Sequence, residues 1–144
     1  MATRHLLTET EYRERFPEKK EEALVSVVVK ELCAMVEKGG TTKMPELKEP
    51  KQTADMVFLG VHKDYRGKNI ANNFVRLPLP VFKGAGYTYA SLFAVSHFSS
   101  RASEKNGFTS IFKLDVRNWI WKREKVLQSI REPHGFYKFR VKKL

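Results

Sequence analysis

Three basic or glycine positions in a row, Arg66, Gly67 and Lys68, stand between two apolar segments. An apolar run, Met56 to Val61, precedes them, and an amphipathic run opens at Ile70. Strand, glycine-bearing turn and helix start is the layout that cradles a diphosphate. The first N–H groups of a helix have no partner within it and point one way, and the helix dipole adds partial positive charge. Arg66 and Lys68 add full charges, and Gly67 lets the backbone approach an anion without a side chain between them. A second group, Ser96, His97 and Ser99, combines hydroxyls with an imidazole at the start of another amphipathic run. Those groups can move a proton near neutral pH. Serines at a helix start are equally good N-caps, and a histidine between Ser and Phe serves as well in a hydrogen-bonded structural role.

The two segments also resemble a known family. Arg66-Gly67-Lys68-Asn69-Ile70-Ala71 resembles the pyrophosphate loop of the GNAT superfamily of N-acetyltransferases, Gln/Arg-x-x-Gly-x-Gly/Ala. Asn69 stands where the family usually has glycine; Asn tolerates left-handed geometry better than most residues. Further on, Leu92 to Phe108 looks like the next strand and helix of that fold, closing on Glu104-Lys105-Asn106-Gly107-Phe108. The Ser-His-Phe-Ser-x-Arg pattern from Ser96 to Arg101 is closest to the arylalkylamine (dopamine-type) branch.

That resemblance implies an α/β fold, a GNAT-like mixed central sheet flanked by helices. It implies acetyl-CoA as co-substrate and transfer of its acetyl group to a small primary amine by direct attack. The cofactor is then expected on Leu59, Gly60 and Val61, on the loop Arg66, Gly67, Lys68, Asn69, Ile70 and Ala71, and, at the adenosine phosphate, on Arg101 or Lys105. The acetyl-pantetheine arm is expected in the V between two strands that start paired and splay, Val57–His62 and Tyr87–Val95. Ser99, with Ser96 nearby, is placed as the acid for the leaving thiolate; many relatives use a Tyr where this chain has Ser103. The N–H of Val61 or a neighbour is the implied oxyanion donor. His97 and His62 are the candidate bases, because the branch's usual N-terminal glutamate has no counterpart. The alternative is a catalytically impaired GNAT remnant that binds CoA or a partner.

Elements that must position these groups follow from periodicity. Apolar residues Ala23, Leu24, Val27, Val28, Leu32, Met35 and Val36 recur at helical spacing, predicting a helix over 18–38 stopped by Gly39-Gly40, with Pro17 at its first position. Residues 1–16 read as a flexible polar lead and 41–52 as a loop. Residues 54–62 read as a buried strand. Pro78 and Pro80 predict a kinked or shortened helix after Ile70, ending near Gly84. A strand over 87–95, a helix over 98–106 and a strand over 108–116 follow, the region 55–116 forming the acetyl-CoA core. Residues 117–144 are read as a C-terminal helix and strand, the last strand half-exposed. One domain of 1–144 is expected, lacking the family's N-terminal strands. An unpaired edge at Val57–Val61 would then invite a homodimer; covering by the 18–38 helix is the other solution.

Composition is that of a globular protein, 42% hydrophobic and 30% charged. No apolar run reaches the ~20 residues a bilayer requires. One cysteine, Cys33, allows no internal disulfide and fits a reducing, cytoplasmic setting; its helical pattern predicts a buried thiol. The net charge of +11 raises the question of nucleic acid. The basic residues are spread along the chain, denser at 63–68, 117–125 and 138–143, and no metal-ligand spacing or nucleic-acid motif accompanies them. Nucleic-acid binding is therefore the weakest reading, and the last two clusters read as solvated faces.

Overall fold

The computed structural model describes Thr10, Glu14, 20–57 and 59–144, with the backbone alone for 20–27. The polar lead and Pro17 otherwise lie outside the described residues. The chain divides into two units, 1–35 and 36–144. In the first, the described element is the beginning of helix α1, Lys20–Lys43, with Val28 and Leu32 buried and Cys33 half-buried.

The second unit holds the end of α1 and a four-stranded mixed sheet. Its elements are β1 Thr53–Met56, α2 Ile70–Arg76, α3 Pro78–Gly84, β2 Tyr89–Ala94, α4 His97–Lys105, β3 Thr109–Asp115 and β4 Phe136–Lys143. Strand order is β1-β2-β4-β3, with β1 parallel to β2 and the other pairs antiparallel.

α1 runs through Gly39 and Gly40 rather than stopping there. The glycines are contact points. A Cβ on Gly39 would lie 2.4 Å from the Phe112 ring, and one on Gly40 would lie 1.9 Å from Phe139 Cδ1. Two glycines inside a helix forfeit about 1 kcal/mol each relative to alanine; here they let the helix lie directly on β3 and β4. Val36, Leu47, Phe139 and Val141 form the core beneath it, with the Phe93 and Phe139 rings 4.9 Å apart. Each such buried side chain is worth about 1.5–3 kcal/mol. The end of α1 therefore covers β4 and β3, not the β1 edge.

The opposite face of the sheet carries Ala90, Leu92 and Ala94, packed with Val75, Ala102 and Phe108. The predicted kink is present. The helical run breaks at Leu77, and Pro78 opens α3 at its first position, where a missing N–H is harmless. Three expectations are corrected. The strand over 54–62 is limited to Thr53–Met56, and Val57, Leu59 and Gly60 are exposed. The segment 118–131 forms no helix; Lys122 and Arg123 are both left-handed and close a tight hairpin in which Trp121 and Glu124 exchange backbone hydrogen bonds. β4 is an inner strand, with Phe139, Arg140 and Val141 all buried. Alternation marked its two faces but could not show that α4 would cover the basic one.

Candidate functional site

β1 and β2 run side by side from Thr53↔Tyr89 to Met56↔Leu92. β1 then leaves the sheet, while β2 continues to Ala94 paired with β4 alone. The pairing thus ends at Met56–Leu92, and the expected splaying strand Val57–His62 is not formed. From Leu59 to His62 the chain has no regular structure, and a short 3-10 turn follows at Lys63–Tyr65. His62 caps that turn: its Nδ1 accepts from the Asp64 N–H at 3.4 Å and lies 3.5 Å from the Asp64 carboxylate. That engagement ties His62 to the loop.

The basic loop 66–71 follows. Arg66 Nε donates to the Val61 carbonyl at 3.2 Å, which fixes the loop's entry against its exit. The Val61 N–H makes no backbone hydrogen bond among the described residues. Gly67 has φ +78°, and a Cβ built there would meet nothing within 4 Å. Lys68 Nζ lies 5.4 Å from the Tyr65 ring centroid. Asn69 is left-handed, φ 59° and ψ 17°, and stands as N-cap of α2 without a side-chain cap bond. Asn69 thus takes a left-handed form that asparagine tolerates better than most residues. The open side of this loop bears exposed Arg66, Gly67 and Lys68, and the first N–H groups of α2 have no intrahelical acceptor.

At the other end of the site, Ser96 and Ser99 form a reciprocal capping box. Ser96 Oγ accepts from the Ser99 N–H at 3.1 Å, and Ser99 Oγ accepts from the Ser96 N–H at 3.2 Å. The two hydroxyl oxygens are 3.0 Å apart, and Ser99 Oγ also lies 3.0 Å from the Ser96 carbonyl. A proton can pass along this pair, and the same bonds satisfy the helix start. Ser103 is fully buried and donates to the Ser100 carbonyl at 2.8 Å. Arg101 and Lys105 are exposed and form no ion pair with a described residue.

Two groups escaped the sequence reading. His134 reaches the start of α4 and accepts the His97 N–H on Nδ1 at 3.2 Å, its ring 5.5 Å from that of Phe98. A neutral imidazole held this way carries its proton on Nε2. Asp55 accepts a hydrogen bond from buried Ser91 across the β1–β2 pair. Neither had a sequence signal, because both depend on register and on a long connection. Asn106 joins the two ends of the site: its Nδ2 donates to Asn72 Oδ1 and to the Ala102 carbonyl, each at 2.8 Å, bridging α2 and α4.

A four-stranded mixed sheet flanked by helices is the fold class seen in GNAT N-acetyltransferases. Solved structures agree. The chain superposes on mosquito arylalkylamine N-acetyltransferase-like 5b with a TM-score of 0.68 at 22% identity, covering 83% of this chain and 55% of that one. For arylalkylamine N-acetyltransferase 2 of Aedes aegypti the TM-score is 0.65 at 17% identity, covering 99% and 63%. For Drosophila melanogaster polyamine N-acetyltransferase, which forms N-acetylagmatine, it is 0.58 at 16%, covering 94% and 62%. The chain thus shares the fold of these enzymes and spans between 55% and 63% of their lengths. No protein-family model and no curated protein sequence matches it.

Proposed function

We propose that this chain is an acetyl-CoA-dependent N-acetyltransferase acting on a small primary amine of the arylalkylamine type. The observation that carries the reading is the parting of β1 from β2 directly before the Arg66–Ala71 loop. The open space over Gly67 suits an approaching diphosphate, and Arg66, Lys68 and the first N–H groups of α2 supply its donors. Leu59, Gly60 and Val61 would line the pantetheine arm, with the Val61 N–H at the developing oxyanion. Arg101 and Lys105 would meet the adenosine phosphate. Bound acetyl-CoA supplies an activated thioester. The chain's own part is to hold it, exclude water and move protons. Ser99, backed by Ser96, would protonate the departing sulfur, and His97 would relay the proton lost by the amine. No acyl-enzyme is invoked.

The membrane plays no part in this reading, and no helix among the described residues is long and apolar enough to cross one. Specific nucleic-acid binding is likewise not proposed. A cytoplasmic setting suits CoA chemistry and a thiol at Cys33. Among the described residues β1 is an edge strand, which could pair with a second copy; sedimentation of the pure chain over a concentration series tests that.

Thiol release from acetyl-CoA, followed with a panel of arylalkylamines and polyamines, tests the activity. Amine-dependent release that falls in Ser99→Ala supports the assignment. Retained acetyl-CoA binding without release for any amine would establish a binding module instead.

A further inference from the structure

The basic cluster 138–143 takes no part in the cradle or the serine pair. In β4, Tyr137, Phe139 and Val141 face the end of α1, so Lys138, Arg140 and Lys142 face α4. Arg140 is only 4% exposed. Its Nη1 donates to Ser100 Oγ at 3.0 Å and its Nη2 to the Phe108 carbonyl at 2.8 Å, while its Nε is buried with no partner. Lys138 Nζ donates to the same Ser100 Oγ at 3.1 Å. One neutral hydroxyl thus receives two cations. Lys113 stands opposite Lys138 in register. Among the described residues the ion pairs are His62–Asp64 and Arg117–Glu132, so none of these three cations has a carboxylate partner.

A buried guanidinium without a counter-charge is expensive, and a buried donor without an acceptor adds to that cost. Sheets tolerate like charges opposite one another poorly. The structure also provides room for the missing charge. A cavity of about 510 Å³ opens beside Arg140, Lys138 and Lys113, walled by Glu104 and the turn from Gly107 to Ser110. Gly107, at φ +79°, keeps that wall low: a Cβ there would lie 2.6 Å from Lys142 Nζ. Exposed Glu104 is the one carboxylate on the wall, against three lining cations.

We propose that this cavity is a binding site for a small phosphate-bearing molecule, its tetrahedral oxyanion held by Arg140, Lys138 and Lys113. Arg140, Lys138 and Lys113 line the cavity from different strand positions, the Lys113 Nζ lying 3.7 Å from the Phe136 ring centroid, and several cations around one site suit a multiply charged oxyanion. The volume is that of a small-molecule pocket rather than of a bare ion. The cavity lies along the β3–β4 side of α4, and its residues are separate from those of the Arg66–Ala71 loop.

The test is a titration of the full chain with inorganic phosphate at constant ionic strength, read by amide and arginine Nε–H resonances. Saturable shifts are expected at Gly107, Thr109, Ser110 and the Arg140 Nε–H. Arg140 is buried, so the variants are placed at Lys113→Ala and Lys138→Gln. Each should weaken phosphate binding about tenfold, the value of one charge-assisted hydrogen bond, while the rest of the spectrum is retained. The same spectrum reports the Arg66–Ala71 amides separately. Shifts confined to that loop, shifts reproduced by chloride, or unchanged affinity in both lysine variants would overturn the proposal.

Discussion

Replacing Gly67 by alanine separates a phosphate cradle from an ordinary turn. Gly67 has φ +78°, and a methyl group there would meet no protein atom within 4 Å. Packing is therefore unaffected, and the cost to the fold is that of holding an L-residue left-handed, about 1–2 kcal/mol. Gly86 provides the control. Its φ is +88°, its Cβ direction is equally empty, and it lies between α3 and β2. Gly86→Ala should lose the same stability. If the diphosphate occupies the space over Gly67, the added methyl displaces it from the loop N–H groups. Loss of one hydrogen bond to a charged group, about 1.5–3 kcal/mol, weakens binding roughly 10- to 100-fold. Calorimetric titration with acetyl-CoA on the two variants and the parent chain measures this. Weak binding in Gly67→Ala alone supports the cradle. Equal dissociation constants in all three proteins would refute the reasoning, however the stabilities compare.

Gly40→Ala should destabilise the protein by about 1–3 kcal/mol through overpacking against Phe139, and Phe139→Leu in the same chain should recover part of it; an increase in denaturation midpoint for Gly40→Ala alone would contradict the packing. Ser99→Ala should lose about 1 kcal/mol of stability with one arm of the capping box and about 100-fold or more in turnover; a stability loss with unchanged turnover would leave Ser99 a cap only. Asn106→Ala should cost about 1–2 kcal/mol, because the bridge between α2 and α4 goes with it; an unmoved unfolding midpoint would show the bridge to be idle. The Asp115 carboxyl is held below its ordinary value chiefly by the Asn118 side-chain amide, with help from the Asn118 and Arg117 backbone and the Arg117 charge. A depressed folded value stabilises the protein above the unfolded one, and that contribution disappears as pH falls through the folded value, below the ordinary 3.8. Asn118→Ala should raise the Asp115 midpoint in a carboxyl carbon NMR titration, and an unchanged midpoint would contradict the assignment.

Local chemistry was the part most legible in the sequence. Asn69 signalled a left-handed position, Pro78 signalled the break between α2 and α3, and the serines signalled the start of α4; each depends on neighbours close along the chain. What failed depends on partners far away. Gly39 and Gly40 resemble a helix stop until Phe112 and Phe139 are brought against them. Val57–Val61 is as apolar as a strand, but among the described residues β1 pairs with β2 only as far as Met56–Leu92. β4 alternates in sequence, yet Arg140 on its basic face is buried, bonded to Ser100 of α4. His134 reaches the start of α4 through a connection whose course no periodicity describes.

Thermal unfolding of the purified chain, with and without acetyl-CoA, tests the central claim most directly. A ligand that binds only the folded state adds about 2.7 kcal/mol of apparent stability at a hundredfold excess over its dissociation constant. The account predicts one cooperative transition of 36–144 that moves to higher temperature with acetyl-CoA and moves less in Gly67→Ala. A cooperative transition that acetyl-CoA leaves in place would contradict it.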